Sequence, residues 1–411
     1  MESQRYVIES ELVEITTHTH KLSGAGGQPE YNSGRTFFEA TASREKFKSD
    51  RMIELILEYS TDMSDRAAAR RLNRIRHESK GMIATTYRNT VEREGQKIAK
   101  HIEQKCEEAL EANGFSEACE LKEGTEFTAE VSQYMPIEAI GSAMAERNIK
   151  KARVSEYELP ENAVNISVDD VGVKRQTETR PRGEAEQPKR VNNSVIHVEN
   201  SVGKYTLNGS SLFGVLKQLL GFLLCGGLLR KQLVFFTDGA REIHNAVSRL
   251  FVFANYKIIL DWYHLAKKCR EQLSMALKSA EIRNEFLKEL MGCLWFGNVG
   301  GAIKLLRNID PKKVRNPDEI DKLVGYFERC REYIPNYALR KELGLRNSSN
   351  LGEKSNDLIV SSRQKHNGMS WSDDGSHSFA SVAAASCNDQ ILNWVYSRSI
   401  NFDFVPFVEA L

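Results

Sequence analysis

Two short apolar segments that each end on an aspartate most constrain the fold of this chain. The segment FFTDGA begins at Phe235, and the segment IILDWYHL begins at Ile258. A parallel strand that is buried on both faces has a continuous apolar sequence, and the ligands of open α/β sheets gather at the carboxyl ends of such strands. We therefore expect Asp238 and Asp261 to lie at one edge of a sheet, where chemistry can take place.

The segments around these two runs alternate in an order typical of an α/β fold. The predicted elements are strands near Val164–Val173, Val195–Val198 and Tyr205–Leu207, a helix from Leu212, a strand at 233–237, a helix at 240–250 and a strand at 257–260. The tract 174–190 contains Pro and Gly and is predicted to be a long loop. Three meandering strands followed by α/β units predict a mixed sheet covered by helices.

The apolar run from Leu212 to Leu229 could be mistaken for a membrane span. It is barely as long as the ~18 residues that a span needs, and Lys217 and Gln218 interrupt it. A predicted strand follows directly. We therefore interpret the run as a buried crossover helix, and we expect no association with a membrane.

Composition sets limits on the class of protein. The chain has 411 residues, more than one hydrophobic core usually serves, so we expect two or three domains. A formal net charge of +1 indicates no nucleic-acid partner by itself, so any basic surface must be local. The seven cysteines include no C-x-x-C pair, which is typical of reduced thiols, and the N-terminus lacks a signal segment. These features predict a cytoplasmic protein.

The N-terminal third divides into two predicted regions. Residues 1–42 are polar and rich in Ser, Thr and Gly, and we predict a flexible arm there. Residues 43–150 are predicted to be helical, with Ser64 as the N-cap of one helix and another helix after Gly81. Two short helices joined by a turn with Gly, at about 62–95, are typical of a helix-turn-helix.

Local charge favours DNA binding by this pair of helices. Between Arg66 and Lys100 there are ten Lys or Arg residues and three acidic residues, a balance suited to phosphates. A solvated basic helix pair is the alternative interpretation. The predicted recognition helix begins with Thr85, Thr86, Tyr87 and Arg88, and the predicted contacts to the DNA backbone are Arg70, Arg71, Arg74 and Arg76.

A long helical block is predicted from 265 to 345. Its apolar residues follow a heptad-like spacing, and strand signals are few. An all-helical insertion into the α/β fold is the simplest interpretation. After it, the segment from Asn347 to Asp357 is predicted to start a capped helix that carries Glu353 in its first turns.

Four ordered segments of the chain resemble those of bacterial insertion-sequence transposases. They are VDDVGVKRQ from Val168, FFTDGA from Phe235, ILDWYHLAKK from Ile259 and LRNSSNLGEKSNDLIVSSRQKHNGMSWS from Leu345. The similarity covers roughly residues 164–394; the ISKra and ISLre groups are the nearest, and Mutator-type transposases are more distant. The resemblance implies a DDE-class enzyme with a ribonuclease H-like mixed-sheet core at 160–264 and 346–400, into which the helical block is inserted.

The resemblance also implies which residues are catalytic. The three implied acids and metal ligands are Asp169, Asp238 and Glu353. Asp170 is an alternative first acid, because the family's Asp-Gly pair is replaced by Asp169-Asp170 in this chain. Asp261 and His264 match a second cluster, in which Mutator-type relatives have a Cys and a His. Asp261 departs from that Cys, so its role is open.

Three carboxylates suit phosphoryl transfer with two metal ions. Carboxylate oxygens are preferred ligands of Mg²⁺, and two ions about 3.5–4 Å apart can activate the attacking oxygen and stabilise the leaving one. The implied cofactors are two Mg²⁺ (or Mn²⁺) ions. The implied function is binding of terminal inverted repeats, DNA cleavage and transfer to target DNA, by a nucleoid-associated homo-oligomer. The alternative is a catalytically inactive or domesticated DNA-binding relative.

Each candidate residue also has an ordinary structural interpretation. Asp238 precedes Gly239 and can form a simple turn, while Asp261 can cap a helix that begins at Trp262. His264 can be a buried core histidine, and Glu353 can be a first-turn acid stabilised by the helix dipole. The joint order of these residues on one predicted topology favours the catalytic interpretation.

The end of the fourth segment is a further candidate DNA contact. Arg363, Lys365 and Trp371 combine cationic and aromatic side chains after the predicted Glu353 helix. The alternative is that Trp371 anchors the helix end in the core. Both interpretations can hold together.

Overall fold

The computed structural model describes most of the chain. The described residues are 2–7, 14–20, 31–32, 48–77, 81–129, 134–146, 157–176, 189–348, 357–365 and 369–407. They divide into two compact units. The first unit comprises Met1–His101 and His377–Asn401, and the second comprises Ile102–Ser376 and Phe402–Leu411. Residues 377–401 belong to the first unit, and the predicted domain limits stay a prediction.

The elements follow in chain order. The strands are β1 (Glu2–Val7), β2 (Glu14–His20), β3 (Tyr31–Asn32), β4 (Ala163–Lys174), β5 (Arg190–Glu199), β6 (Gly203–Gly209), β7 (Gln232–Thr237), β8 (Tyr256–Leu260) and β9 (Val405–Pro406). The helices are α1 (Asp50–Asp62), α2 (Asp65–Ile75), α3 (Ala84–Ala112), α4 (Ile137–Glu146), α5 (Leu212–Cys225), α6 (Arg241–Leu250), α7 (Trp262–Ala276), α8 (Ala280–Trp295), α9 (Val299–Arg307), α10 (Pro317–Cys330), α11 (Tyr337–Glu342), α12 (Ser362–Gln364), α13 (Asp373–Cys387) and α14 (Ile391–Ser397). Short 3-10 turns occupy Pro160–Asn162, Pro311–Lys313 and Arg331–Tyr333, and Asp357–Ser361 is π-helical.

A six-stranded mixed sheet organises the second unit. Its strand order is β8-β7-β4-β5-β6-β9. Strands β4, β7 and β8 run parallel, whereas β5 pairs antiparallel with β4 and β6, and β6 pairs antiparallel with β9. The prediction of a mixed α/β fold is confirmed, and so is the predicted order of strands and helices from β4 to β8. The edge strand β9 was not predicted, because two residues give no periodicity to detect.

One face of strand β4 is apolar and buried. Val164, Ile166 and Val168 are buried on one face, on the side where α5 packs against β5 and β6. The crossover helix approaches α3 closely, since a Cβ atom added at Gly221 would lie 2.7 Å from Cys106 Sγ. None of the helices in the described ranges is long and apolar enough to cross a membrane.

The region predicted to be an all-helical insertion forms the helices α7 to α11 in the structure. Their buried apolar side chains form one core, and this core also takes in Val234, Phe236 and Ile259 from the sheet. The helices therefore cover one face of β7 and β8. This arrangement brings the block to the carboxyl ends of both strands.

The first unit contains α1, α2, the first part of α3, residues 377–387 of α13, and α14. Ser64 is the N-cap of α2, as predicted. Glu94 is buried among Lys97, Arg398 and Trp394. Burial alone raises the pKa of Glu94, but the bond and charge of Lys97 and the charge of Arg398 outweigh it and lower that pKa.

Strands β1, β2 and β3 form a three-stranded antiparallel sheet within residues 2–32. The sequence predicts a flexible arm there, so the structure differs from the prediction. The strands ESQRYV and EITTHTH contain Thr, Tyr, Val and Ile, residues that favour extended backbone even without sustained alternation.

Candidate active site at the carboxyl ends of the parallel strands

The register of two parallel strands brings Asp169 and Asp238 to the same level of the sheet. Ser167 of β4 pairs with Phe236 of β7, and Asp238 follows the end of β7 directly. Asp169 and Asp238 lie two residues after this pair, so their side chains point to the same face as those of Ser167 and Phe236. Neighbouring strands are about 4.8 Å apart. The register therefore places Asp169 beside Asp238.

The electrostatics of Asp169 agree with this placement. Burial is the largest cause that raises the pKa of the Asp169 carboxyl, and the negative charges of Asp238 and Asp170 raise it further. The charge of His264 and the backbone amide of Asp170 act in the opposite direction, but the net shift is upward. Asp238 and His264 therefore both lie within electrostatic range of Asp169.

The structure separates the two alternatives for the first acid. Successive side chains of a strand point to opposite faces, so Asp169 and Asp170 face different sides of the sheet. Asp170 is exposed and accepts a hydrogen bond from the Ser194 hydroxyl of β5. Asp169 is partly buried and is the one that shares a face with Asp238. The arrangement favours Asp169 as the first acid.

Asp238 lies in a tight turn that is held from two sides. Its Oδ1 accepts a hydrogen bond from the Ala240 amide at 2.8 Å, and its carbonyl oxygen accepts one from the Tyr326 hydroxyl at 3.1 Å. Gly239 has φ +87°, and a Cβ atom there would lie 3.0 Å from both Leu260 Cδ1 and the Tyr326 hydroxyl. Asp238 is thus a turn residue and an exposed carboxylate at once.

A buried histidine beneath this turn was missed by sequence reasoning. His244 Nε2 lies 2.7 Å from Thr237 Oγ1, and its ring packs edge-on against Tyr333 at 4.3 Å. Burial lowers the pKa of His244 more than the Asp238 charge raises it. The sequence offers only a weak indication of this role, because His244 lies on the same helix face as buried apolar residues and resembles an ordinary core residue. It connects the end of β7 to the helical block.

Asp261 behaves as a helix cap. It is fully buried, and its Oδ1 accepts the His264 amide at 3.0 Å, with His264 Nδ1 at 3.4 Å. Tyr337 of the helical block donates to the Leu260 carbonyl at 2.7 Å. The interpretation of Asp261 as the cap of α7 is confirmed. Of the two aspartates that end apolar strands, only Asp238 is exposed.

Glu353 lies outside the described residues, so the position of the predicted third acid is not described. Among the described residues, no group of three or more His, Cys, Asp or Glu side chains is arranged to hold a metal ion. The chain that leads to Glu353 is nevertheless tied to the site. The Trp262 amide donates to the Asn347 carbonyl at 3.1 Å, and Ser348 Oγ lies 3.5 Å from Asp261 Oδ1.

The predicted helix-turn-helix residues divide into exposed and buried ones. Arg70, Arg71, Arg74, Thr85 and Arg88 are exposed, Thr86 and Arg76 are half-buried, and Tyr87 is fully buried. The turn is fixed by Asn73, whose side chain donates to the Met82 carbonyl at 2.8 Å and accepts the Met82 amide at 2.7 Å. Arg88 forms an ion pair with buried Asp65 at 2.8 Å.

Tyr87 is a correction to the predicted DNA contacts. Its hydroxyl donates to the Ile56 carbonyl of α1 at 2.7 Å, and none of its surface is exposed. The spacing of Tyr87 to the buried Val91 was the signal, since residues four apart share a helix face. Tyr87 therefore packs α3 against α1.

The predicted DNA contacts of the fourth segment are also corrected. Arg363 is 8% exposed and Trp371 is 5% exposed, and the guanidinium of Arg363 lies 5.4 Å from the Trp371 ring centre. The Trp371 indole donates to the Gln364 carbonyl at 3.2 Å. These two side chains anchor the end of the helix in the core, which was the alternative interpretation, and Lys365 alone of the three is exposed.

Removing the Asp169 charge is expected to stabilise the protein. Because the folded state raises the pKa of Asp169 above its ordinary value, ionisation of this group favours unfolding as the pH rises through that range. The Asp169→Asn variant should melt a few degrees above the unmodified protein at pH 7, and the difference should disappear toward pH 3. Thermal unfolding at both pH values checks this. A lower melting temperature at pH 7 would contradict the conclusion that burial and the neighbouring carboxylates raise the pKa of Asp169 in the folded protein.

Fold and site together define an α/β protein with a mixed sheet and acidic side chains at the carboxyl ends of two parallel strands. No family model matches the chain, and no curated protein matches its sequence. Among solved structures, a crystal structure of a pre-cleavage Mos1 transpososome is similar at 10% sequence identity with a TM-score of 0.16, over 75% of this chain and 81% of that chain. A likeness this weak supports no conclusion about the fold or function of the chain.

Proposed function

We propose that the chain is a DDE-class transposase with a ribonuclease H-like core, which cleaves DNA ends and joins them to target DNA. The observation that carries the proposal is the register of β4 and β7, which puts Asp169 of β4 at the level of Asp238, the residue directly after β7, with the charge of Asp238 acting on Asp169. A carboxyl whose pKa is raised by burial and by the charge of a second carboxylate at the same sheet edge is typical of a functional site.

The topology of the sheet supports the proposal. Renumbered from β4 as the first strand, the observed order is fifth, fourth, first, second and third, with β9 added at the far edge. The first three strands are antiparallel and the next two are parallel to the first. This is the arrangement expected for a ribonuclease H-like core whose first acid lies on the first strand and whose second acid follows the fourth.

The side chains present fit part of a magnesium site. Asp169 and Asp238 offer hard carboxylate oxygens, which Mg²⁺ prefers, and their mutual repulsion would be relieved by a cation. Glu353 is the proposed third ligand. When bound there, Mg²⁺ or Mn²⁺ ions would activate the attacking oxygen and stabilise the leaving oxygen of a phosphodiester.

Chain length allows Glu353 to reach these acids. Ser348 lies beside Asp261, and Glu353 follows five residues later. Five residues span at most about 18 Å. On the other side, Asp357–Ser361 lies against β4, the strand that carries Asp169. Both flanking segments are therefore near the sheet edge that the proposal requires.

The residues around the acids hold them in place. The Tyr326 hydroxyl and the Ala240 amide fix the Asp238 turn. The amide occupies one position on Asp238 Oδ1, and the carboxylate can still accept further bonds or bind a cation. His264, positioned by the buried Asp261 cap, places a charge near Asp169 when it is protonated. These contacts preorganise the acids before substrate binds.

The exposed arginines of α2 fit recognition of DNA ends. Arg70, Arg71 and Arg74 lie on one exposed helix, and Asn73 locks the following turn to Met82. Cations on a rigid helix suit phosphate contacts that fix register on DNA. We include terminal inverted repeats, target DNA and self-association in a complex of two ends in the proposal.

Cleavage of the DNA that flanks the gene tests the proposed function. Purified protein is incubated with labelled DNA spanning each flank, with Mg²⁺, with Mn²⁺ or with EDTA. The expected result is a specific break with a 3′ hydroxyl at the element boundary and joining to a target plasmid, both lost in EDTA. Binding without cleavage would identify an inactive DNA-binding relative. If the protein neither binds nor cleaves this DNA, the proposal is rejected.

A further inference from the structure

An exposed aromatic side chain lies beside His264 at the start of α7. Tyr263 is the second residue of α7, and its side chain is 45% exposed. Its ring centre is 5.6 Å from that of His264, the residue whose charge acts on Asp169. A large aromatic side chain left in solvent beside a charged site is suited to stack on a flat ligand group.

Cationic side chains continue from Tyr263 along the same helix. Lys267 and Arg270 are exposed and follow Tyr263 by four and seven residues, so all three lie on one face of α7. Lys268 is exposed beside them, and Glu271 is the acidic neighbour. We call Tyr263, Lys267, Lys268 and Arg270 the α7 face. From Tyr263 to Arg270 it extends about 10 Å along the helix axis.

Two other helices of the same block carry the opposite charge. The exposed charged residues of α8 are Glu281, Glu285, Lys288 and Glu289, and those of α10 are Asp318, Asp321, Lys322, Glu328 and Arg329. Acidic side chains outnumber basic ones on both helices. A polyanion near the block is therefore attracted to the α7 face and repelled from α8 and α10.

We propose that the α7 face binds the DNA strand adjoining the reacting phosphodiester, with its cations on phosphates and Tyr263 stacked on a base. This inference rests on the proposed function for its choice of DNA as the polyanion. An aromatic platform combined with a cationic track is the usual way in which proteins bind an unpaired strand. Helix α7 starts at its N-cap Asp261, next to the acids. A DNA strand bound along α7 would therefore lead directly to the acids.

Charge and stacking predict separable effects on binding. DNA with a single-stranded extension is titrated by fluorescence anisotropy in EDTA across a series of salt concentrations. The triple variant Lys267→Gln, Lys268→Gln, Arg270→Gln should flatten the slope of log K against log salt by about 2, since each lost phosphate contact removes about 0.7–0.9. Tyr263→Ala should weaken binding about 5- to 100-fold with an unchanged slope, and Tyr263→Phe should restore it.

Matched variants on other helices exclude a general charge effect. Lys304 of α9 and Lys288 of α8 are exposed cations of the same block, and Lys304→Gln and Lys288→Gln should leave the slope unchanged. Equal slopes for the triple variant and these controls would overturn the proposal, as would a Tyr263→Ala affinity equal to that of the unmodified protein. Thermal unfolding confirms that each variant is folded.

Because binding is measured without metal, the result is independent of cleavage. A protein that binds DNA through the α7 face and never cleaves it would reject the proposed function and leave DNA binding by the α7 face standing. If the protein cleaves DNA normally but the α7-face variants change neither the DNA affinity nor the slope of log K against log salt, the inference is rejected and the proposed function stands.

Discussion

The Asp238→Asn variant is expected to lose metal-dependent DNA cleavage by at least about 10³-fold, since metal-assisted stabilisation of the transition state amounts to several kcal/mol. Asparagine has the same shape as aspartate, and its amide oxygen can still accept the Ala240 N–H that Asp238 Oδ1 accepts at 2.8 Å. The turn should therefore persist while the charge is lost. Cleavage rates in Mg²⁺ and DNA affinity in EDTA measure the two effects separately, and affinity should stay unchanged.

Three further variants make this result specific. Asp170→Asn changes an exposed carboxylate on the opposite face of β4, bonded to Ser194, and should cleave normally. Glu353→Gln should lose as much activity as Asp238→Asn if Glu353 is the third acid. Tyr326→Phe removes only the hydroxyl that holds the Asp238 carbonyl and should lower activity about 10- to 100-fold, as partners of metal ligands do. Full activity of Asp238→Asn, or loss in Asp170→Asn, would reject the site.

The strands and helices were predictable because their signals are local. The continuous apolar run of β7 and the Asp that follows it predict a buried parallel strand with a carboxylate at its end, and the structure confirms both. Ser64 and Asp261 are N-caps that satisfy backbone amides within three residues, so sequence alone identifies them. The sequence indicates Asp169 and Asp238 only as acids implied by the family resemblance, with Asp170 as an alternative; the register of β4 and β7, which puts Asp169 at the level of Asp238, comes from the structure.

Side-chain placement depended on contacts that sequence does not encode locally. Tyr87 and Trp371 combine aromatic and polar groups, and sequence cannot tell a DNA contact from a core side chain with a bonded polar atom. The structure gives their hydroxyl and indole groups backbone partners at Ile56 and Gln364. The link from Tyr326 to Asp238 joins residues 88 positions apart. Only packing of the helical block on the sheet creates it.

The most consequential hidden contact is a buried ion pair. Arg340 of α11 and Glu158 are 0% and 2% exposed, and their side chains meet at 2.6 Å. Arg340 Nε also donates to the Arg346 carbonyl at 3.0 Å, at the start of the segment that leads to Ser348. Burial alone raises the pKa of Glu158, but the charge and hydrogen bond of Arg340, with Lys257, outweigh it and lower that pKa. The carboxylate therefore stays charged inside the protein.

The Arg340→Met variant is expected to lower the free energy of unfolding by about 3–5 kcal/mol, because it leaves the Glu158 charge buried without its main partner. Methionine fills most of the arginine's apolar volume, so the loss reflects charge more than packing. Denaturant unfolding at pH 7 measures it. The double variant Arg340→Met, Glu158→Gln should regain most of the lost stability. The matched control is Arg307→Met, whose partner Glu328 and own side chain are 49% and 63% exposed, and which should cost at most about 1 kcal/mol. Equal costs for the buried and exposed pairs would show that Arg340 contributes no more than a surface charge.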